Sequence, residues 1–360
     1  GGDSLKALSI NNEMKKEIDI EVPLAEFFNR RTIKGILKYV SERKDSAERN
    51  DSEFVNKFTS DLENINEPFP LSPLQLAYVL GRNSEFEMGG IASHVYQESY
   101  TAISQEILNN AFNILIRRHP MLRVRVLDNS KQEIVEIKED YNIVCDDLTN
   151  LNTIEQEERI SAERRRMSHQ IFNPEVWPLF ELKMFKLSDN QNYIFFSLDH
   201  LIADAGSLLI FANELTLLCK NERFQLPKIE FTYRDYVLAL DEIKKSYEYK
   251  EAKAYWQNKL KDFPSAPKLY YEVTPDEISK PVFKRKRKEF SEEKWSTLKR
   301  LTRNMKVTPS VFLCTAYSYV LSYWSNQNKL AVNLSLFNRY PFHPDVNKII
   351  GDFASLIILD

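Results

Sequence analysis

Cysteine is scarce in this sequence. Cys145, Cys219 and Cys314 are the three among 360 residues, and no two stand at a metal-ligand spacing. They read as buried thiols of a reducing compartment, and no metal site is expected of them. Long apolar runs are missing as well. Nothing approaches the ~20 residues that a membrane helix needs, and no secretory signal opens the chain, so no membrane partner and a cytoplasmic location are expected. An excess of basic charge is also lacking, since 49 Lys and Arg against 52 Asp and Glu leave a formal net charge of -3. That balance argues against a general nucleic-acid binder. Internal repeats are absent too. What remains is an ordinary globular composition, 43% hydrophobic and 12% aromatic, in a chain long enough for two or three domains and a sizeable core.

The residues suited to chemistry gather in one stretch, Ser197-Leu198-Asp199-His200-Leu201-Ile202-Ala203-Asp204-Ala205-Gly206-Ser207. Before it, Asn192 to Leu198 is aromatic and β-branched and predicts a strand. After it, Leu208 to Leu218 predicts a helix with Glu214 turned outward. The cluster therefore falls at a strand-to-helix corner, where a rigid scaffold holds acids and bases in fixed geometry. Turn and cap chemistry alone would account for Ala-Asp-Ala-Gly-Ser. A histidine between two acids at the end of a buried strand is costly unless paired, which favours a functional reading. Asp199 either orients His200 or holds the pocket's shape. Asp204 is expected to pair with an arginine rather than act as a base, and Ser207 to cap the following helix.

The other segments organise around this corner. Gly1-Gly2-Asp3-Ser4-Leu5 leads into a small helical unit of about 40 residues, with Thr32 capping a helix to Val40, a size that is marginal alone. Ser41 to Glu67 is polar and charged and reads as a solvated connector, with one helical stretch from Asp51 to Leu62. Phe69-Pro70-Leu71-Ser72-Pro73-Leu74-Gln75-Leu76-Ala77-Tyr78-Val79-Leu80-Gly81-Arg82 is a proline-set loop entering an amphipathic helix that stops at glycine. A strand over Ala92 to Ala102 and a helix over Gln105 to Arg117 follow. His119 precedes a proline and is expected to be structural. Arg164, Arg165 and Arg166 lie on a charged helix and are expected to form a solvated face. Farther on, Lys284 to Lys288 predicts a charge-protected edge strand. Ser291 and Thr308 each cap a helix. His343, in a proline-flanked loop, is a weaker site candidate than His200.

Several of these stretches resemble one family, the condensation-domain superfamily of nonribosomal peptide synthetases. Its amide-forming branch carries His-His-x-x-x-Asp-Gly at the corner, and its heterocyclisation branch carries Asp-x-x-x-x-Asp-x-x-Ser. Asp199, Asp204 and Ser207 fit the second pattern, Ala205 replaces the glycine of the first, and His200 retains its second histidine. The Phe69 to Arg82 stretch resembles the heterocyclisation opening motif. Arg118-His119-Pro120-Met121-Leu122-Arg123 resembles the second motif, with Asn129 where glycine is expected. The Thr308-Pro309-Ser310 helix resembles the fourth motif, and Gly351-Asp352-Phe353 lies in the region up to the fifth, with Ala354 where threonine is usual. Gly-Gly-Asp-Ser-Leu matches a carrier-protein signature.

The resemblance implies an α/β protein: a small all-α carrier fragment, then a chloramphenicol-acetyltransferase-like two-lobed α/β sandwich with its second lobe incomplete. The divisions expected are residues 1–43 for the carrier fragment without its first helix, 44–67 for a linker, 68–265 for the first lobe and 266–360 for the start of the second. It further implies that Ser4 carries 4'-phosphopantetheine, where the plain alternative is a helix cap. The activity implied is condensation of a carrier-bound acyl thioester with carrier-bound Cys, Ser or Thr, followed by cyclodehydration to a thiazoline or oxazoline. Asp199, His200, Asp204 and Ser207 are the implied catalytic set, with His200 bonding the amine or the adduct. Implied partners are carrier and adenylation domains of the same synthetase, a phosphopantetheinyl transferase, and acyl and aminoacyl thioesters. An amide-forming condensation domain and a non-catalytic carrier-docking domain are the rival readings.

Overall fold

In this computed structural model the described residues are 10, 14, 22, 32–44 and 58–360, apart from 129, 280, 285 and 338. Of the carrier segment they include one helix, α1 (Ile33–Lys44). Ser4 lies outside the described residues.

The domain that follows is built on a four-stranded sheet. Its strands are β2 (His94–Thr101), β5 (Val144–Asp147), β6 (Phe180–Ser188) and β7 (Gln191–Asp199), in the order β2-β7-β6-β5. The central strand β7 is covered on both faces, which explains why its sequence is aromatic throughout instead of alternating with polar residues. Tyr193 and Phe195 pack with Ile160 and Met167 of α4 (Thr153–Met167). The alternate residues Ile194, Phe196 and Leu198 meet the main core. There Phe196 stacks on Phe211 of α5 (Ala205–Lys220) with ring centroids 5.5 Å apart. Phe112 of α3 (Gln105–Arg118) sits edge-on to Phe180 and Phe211 at 5.1 and 5.6 Å. Two helices on one side of a sheet and one on the other form the expected α/β sandwich.

A second, three-stranded sheet, β1 (Phe69–Pro70), β4 (Lys131–Ile134) and β3 (Val124–Asp128), carries the entry to α2 (Pro73–Leu80). Ser72 starts α2 with a reciprocal cap. Its Oγ accepts the Gln75 amide at 3.1 Å, and the Gln75 Oε1 accepts the Ser72 amide at 2.9 Å. Helices α6 (Tyr233–Ile243) and α7 (Tyr247–Lys259) then lead across to α8 (Glu292–Asn304), α9 (Pro309–Ser325) and a two-stranded ribbon of β8 (Val332–Phe337) and β9 (Ala354–Leu359). The Ser291 and Thr308 hydroxyls cap α8 and α9 as their sequences predict.

Several expectations need correction. Residues 58–62 are not helical, and the end of the connector is docked rather than solvated. Phe58 packs on Phe342, the Asp61 amide bonds Asp235 at 3.1 Å, and Arg234 reaches Asp61 and the Glu67 carbonyl, each at 3.2 Å. Around the basic run, residues 282–284 and 286–290 are exposed and irregular, because β8 pairs only with β9 and offers that run no partner among the described residues. Glu214 faces inward: its carboxylate bonds His119 Nε2 at 2.7 Å and Arg118 Nε at 3.0 Å. This confirms a structural histidine. All three cysteines are free and half-buried rather than buried. Arg164 and Arg166 are engaged by Glu98 and by Glu163 and Glu181, so that face is an ion-pair network.

Candidate active site

β7 ends at Asp199 and α5 begins at Ala205, so the five residues between them form the corner. The sheet fixes the start of the turn. The Asp199 amide donates to Leu179 O at 2.9 Å and the His200 amide to Ser93 O at 3.0 Å. Asp199 is fully buried, accepts the Leu201 amide at 2.9 Å, and forms an ion pair with Arg82 just beyond α2. Its carboxylate is not hydrogen-bonded to the His200 ring among the described residues. Gln75, also fully buried, donates to the Leu201 carbonyl at 2.6 Å, and the Tyr78 ring lies 6.1 Å from that of His200. Residues 75, 78 and 82 recur at helical spacing, so one polar stripe of the opening motif holds the corner from one side.

The segment between β8 and β9 holds it from the other. Asp204 is the N-cap of α5, and its carboxylate accepts the Ser207 amide at 2.7 Å and pairs with Arg339 at 3.4 Å. Its own amide donates to Gly351 O at 3.0 Å. Ser207, assigned the cap from its sequence, is instead a bridge. Its hydroxyl donates to Gly351 O at 2.7 Å and accepts from the Gly351 amide at 3.1 Å and from Arg339 at 2.9 Å. Arg339 also donates to Val346 O and Ile349 O, each at 2.8 Å, and lies 3.9 Å over the Phe353 ring. A side chain at Gly351 would place its Cβ 2.1 Å from Tyr233 Cδ2, so only glycine brings the backbone this close.

Electrostatics follow from this burial. Desolvation pushes the Tyr78 phenol up to about 12, and the charges of Asp352, Asp199 and Asp204 add to the shift. Asp352 is pushed up to about 8, chiefly by burial and then by Asp204, against one bond from the Ala354 amide. Burial moves the Arg339 guanidinium down, opposed by Asp204. His200 differs from its neighbours. It is half-buried, its Nδ1 faces Ala203 O at 3.1 Å, and its Nε2 makes no hydrogen bond among the described residues. In the neutral ring Nδ1 therefore carries the proton and Nε2 keeps its lone pair.

With this geometry in view, comparison with known proteins is decisive. Residues 65–359 match the family model described as Condensation domain. The chain belongs to the condensation-domain family. Residues 1–40 match the model described as Phosphopantetheine attachment site, so a carrier segment of a nonribosomal peptide synthetase precedes the condensation domain. Over 360 residues the chain is 40% identical to bacitracin synthase 1 of Bacillus licheniformis, covering all of this chain and 7% of that protein. Over 363 residues it is 32% identical to phenyloxazoline synthase MbtB of Mycobacterium sp. (strain MCS), again over the whole chain and 30% of that protein. The chain thus spans less than a third of the curated relatives it matches. In structure it is similar to the EpoB NRPS cyclization-docking bidomain from Sorangium cellulosum in its rhombohedral crystal form. The TM-score is 0.81 at 32% identity, over 90% of this chain and 65% of that one.

The condensation domain thus brings Asp199, His200, Asp204 and Ser207 into one corner, with Asp199 and Ser207 saturated by protein partners, Asp204 held through Oδ1 and His200 left open at Nε2. Ser4 lies outside the described residues. His343 stands apart, stacked on Phe231 at 4.8 Å with its Nδ1 accepting the Asp345 amide. Sequence reasoning missed Gln75, Tyr78 and Arg82 as parts of the site, although their spacing in the opening motif marks one helix face. It also missed Arg339 as Asp204's partner and Asp352 altogether. Among the described residues no cluster of His, Cys, Asp and Glu is suited to a metal ion. No helix among them is long and apolar enough to cross a membrane.

Proposed function

We propose that this condensation domain joins an acyl thioester to a carrier-bound Cys, Ser or Thr and closes the new amide to a thiazoline or oxazoline. The observation that carries the reading is the Asp199, Asp204 and Ser207 corner, clamped on both sides, with the His200 Nε2 lone pair left open beside it. The similarity to phenyloxazoline synthase and to a cyclization domain supports ring formation over plain amide formation.

Ser4 is the proposed attachment point for 4'-phosphopantetheine, and the chemistry fits, since a serine hydroxyl accepts a phosphodiester. The bound group would supply the thiol that holds the acyl chain. The residues of this chain do the rest by placement. Arg82 and Asp199 fix the strand end, and Arg339, Asp204 and Ser207 fix the helix start, so His200 is presented in one orientation. Its Nε2 accepts a hydrogen bond from the incoming amine, which keeps the nitrogen lone pair directed at the carbonyl. As the C–N bond forms and the thioester C–S bond breaks, the same nitrogen can hold the proton that the amine loses and give it up to the departing thiolate, so that amide and free thiol result. Asp199 and Ser207 are positioning groups on this account, because their side-chain oxygens are all engaged within the protein, and Asp204 positions the corner through its Oδ1. Carrier and adenylation domains of the parent synthetase and a phosphopantetheinyl transferase are the proposed partners.

One observation favours a second reading, a carrier-docking domain without chemistry. Asp199 and Ser207 have all their side-chain oxygens engaged within the protein and Asp204 is engaged through Oδ1, and two hollows in the surface, one along α4 and one at Arg117, Arg123, Glu136 and Ile137, include no corner residue. One experiment separates the readings. The parent synthetase is loaded with an acyl donor and cysteine and its thioesters are read by mass spectrometry. Loss of one water beyond peptide-bond formation is expected. An amide of unchanged mass sinks the cyclisation reading, and no amide at all leaves docking.

A further inference from the structure

Asp352 stands where a charged carboxylate has no support. It is 2% exposed, its Oδ1 accepts the Ala354 amide at 3.2 Å, and its Oδ2 is buried with no partner among the described residues. Among the described residues no cation is hydrogen-bonded to it. Arg339 is already shared by Asp204, Ser207 and two carbonyls, and Lys348 is bound to Asp345 at 2.6 Å. The titratable groups that feel its charge are Asp204 from the start of α5, Tyr78 from α2 and Tyr233 from α6, with Tyr236 one turn along α6 beside Asp204. Tyr233 donates to the Asp352 carbonyl at 2.6 Å and Tyr236 accepts the Tyr340 amide at 3.3 Å. Asp204 has the Arg339 guanidinium, whereas Asp352, buried beside the Asp204 charge, has no cation bonded to it among the described residues, so its neutral form is the favoured one.

We propose that docking of residues 345–353 onto the corner takes up one proton, held on Asp352. The adjoining Gly351 carries the contacts to Asp204 and Ser207, so the proton and the latch are inseparable. Released to solvent, the carboxyl ionises in the ordinary range near ~3.9, whereas docked it stays protonated to about 8. The sign follows. The open state binds fewer protons between these limits, so opening becomes easier as pH rises, roughly tenfold per unit, and levels off above about 8.

The test is amide hydrogen exchange of the full chain between about pH 6 and 8, corrected for intrinsic exchange, read on peptides covering 199–207 and 345–356. In the wild type, opening should rise roughly fiftyfold over those two units, since the upper limit falls at the midpoint of the docked carboxyl's titration. In Asp352→Asn, which stays neutral and keeps the acceptor for Ala354, it should stay flat. Equal slopes in both proteins overturn the proposal. Should Asp352→Asn fail to fold, infrared spectroscopy of the wild type decides instead: a protonated carboxyl band titrating near pH 8 supports the proposal and its absence refutes it. The latch does not depend on the cyclisation reading. A sloped wild type beside a flat variant, with no ring product from the parent synthetase, would leave the latch standing and remove the proposed reaction.

Discussion

Replacing Arg339 by methionine gives the most direct measure of what holds the corner. The substitution keeps an unbranched apolar stem over Phe353 and removes the guanidinium. Lost with it are the pair to Asp204 at 3.4 Å, the bond to Ser207 at 2.9 Å and the two carbonyl bonds at 2.8 Å. Asp204, 2% exposed, then keeps its bond from the Ser207 amide and no cation. Breaking a buried ion pair from one side costs about 3–5 kcal/mol, which lowers the folded-to-unfolded ratio by roughly two to four powers of ten. Urea unfolding at about pH 6 measures it, with Asp204→Asn and the double variant completing a cycle. The double variant should recover at least about 1 kcal/mol of the summed single losses, since the residues touch. A loss below about 1 kcal/mol for Arg339→Met, or strict additivity, would show that the pair does not secure the corner.

The other predictions are narrower. Gly351→Ala drives a Cβ into the Tyr233 ring and should cost about 1–3 kcal/mol or more, with Tyr233→Leu in the same chain restoring part of the loss in urea. Ser207→Ala strands the Gly351 amide, while the Gly351 carbonyl keeps the Asp204 amide, and should cost about 1–3 kcal/mol, measured the same way. His200→Ala should leave stability within about 0.5 kcal/mol, because a half-buried side chain bonded to one carbonyl is removed. It should still lower product from the parent synthetase by roughly a hundredfold, and unchanged product rules out a chemical role. Ser4→Ala should abolish the single phosphopantetheine mass added by a transferase, and continued labelling would move the attachment elsewhere.

How far the sequence foretold this depends on the range of the interaction. Local signals translated directly: Ser291 and Thr308 cap the helices assigned to them, the proline-set loop enters α2 as its sequence predicts, and the aromatic run before Asp199 is the central strand. The corner itself was legible because strand character, acids and glycine follow one another within a few residues. Partners far along the chain were not. Asp199 finds Arg82 across 117 positions, and Ser207 finds Gly351 across 144. No periodicity links such pairs, so Ser207 read as a cap when Asp204 supplies it. Glu214 failed for the same reason. Its helix position suggests solvent, and only the fold brings His119 and Arg118 to it. The Lys284 to Lys288 run shows the converse error, since a strand needs a neighbour that sequence alone does not provide.

The distance between Ser207 and Gly351 has a bearing on how the polypeptide is made. A ribosome releases the strand, the corner and α5 long before residue 351 emerges, so during synthesis Asp204 and Ser207 wait in an unfinished turn, bound to water. The working geometry is then among the last features of the domain to set, and a chain stalled short of Gly351 would carry every residue of the corner and none of its rigidity.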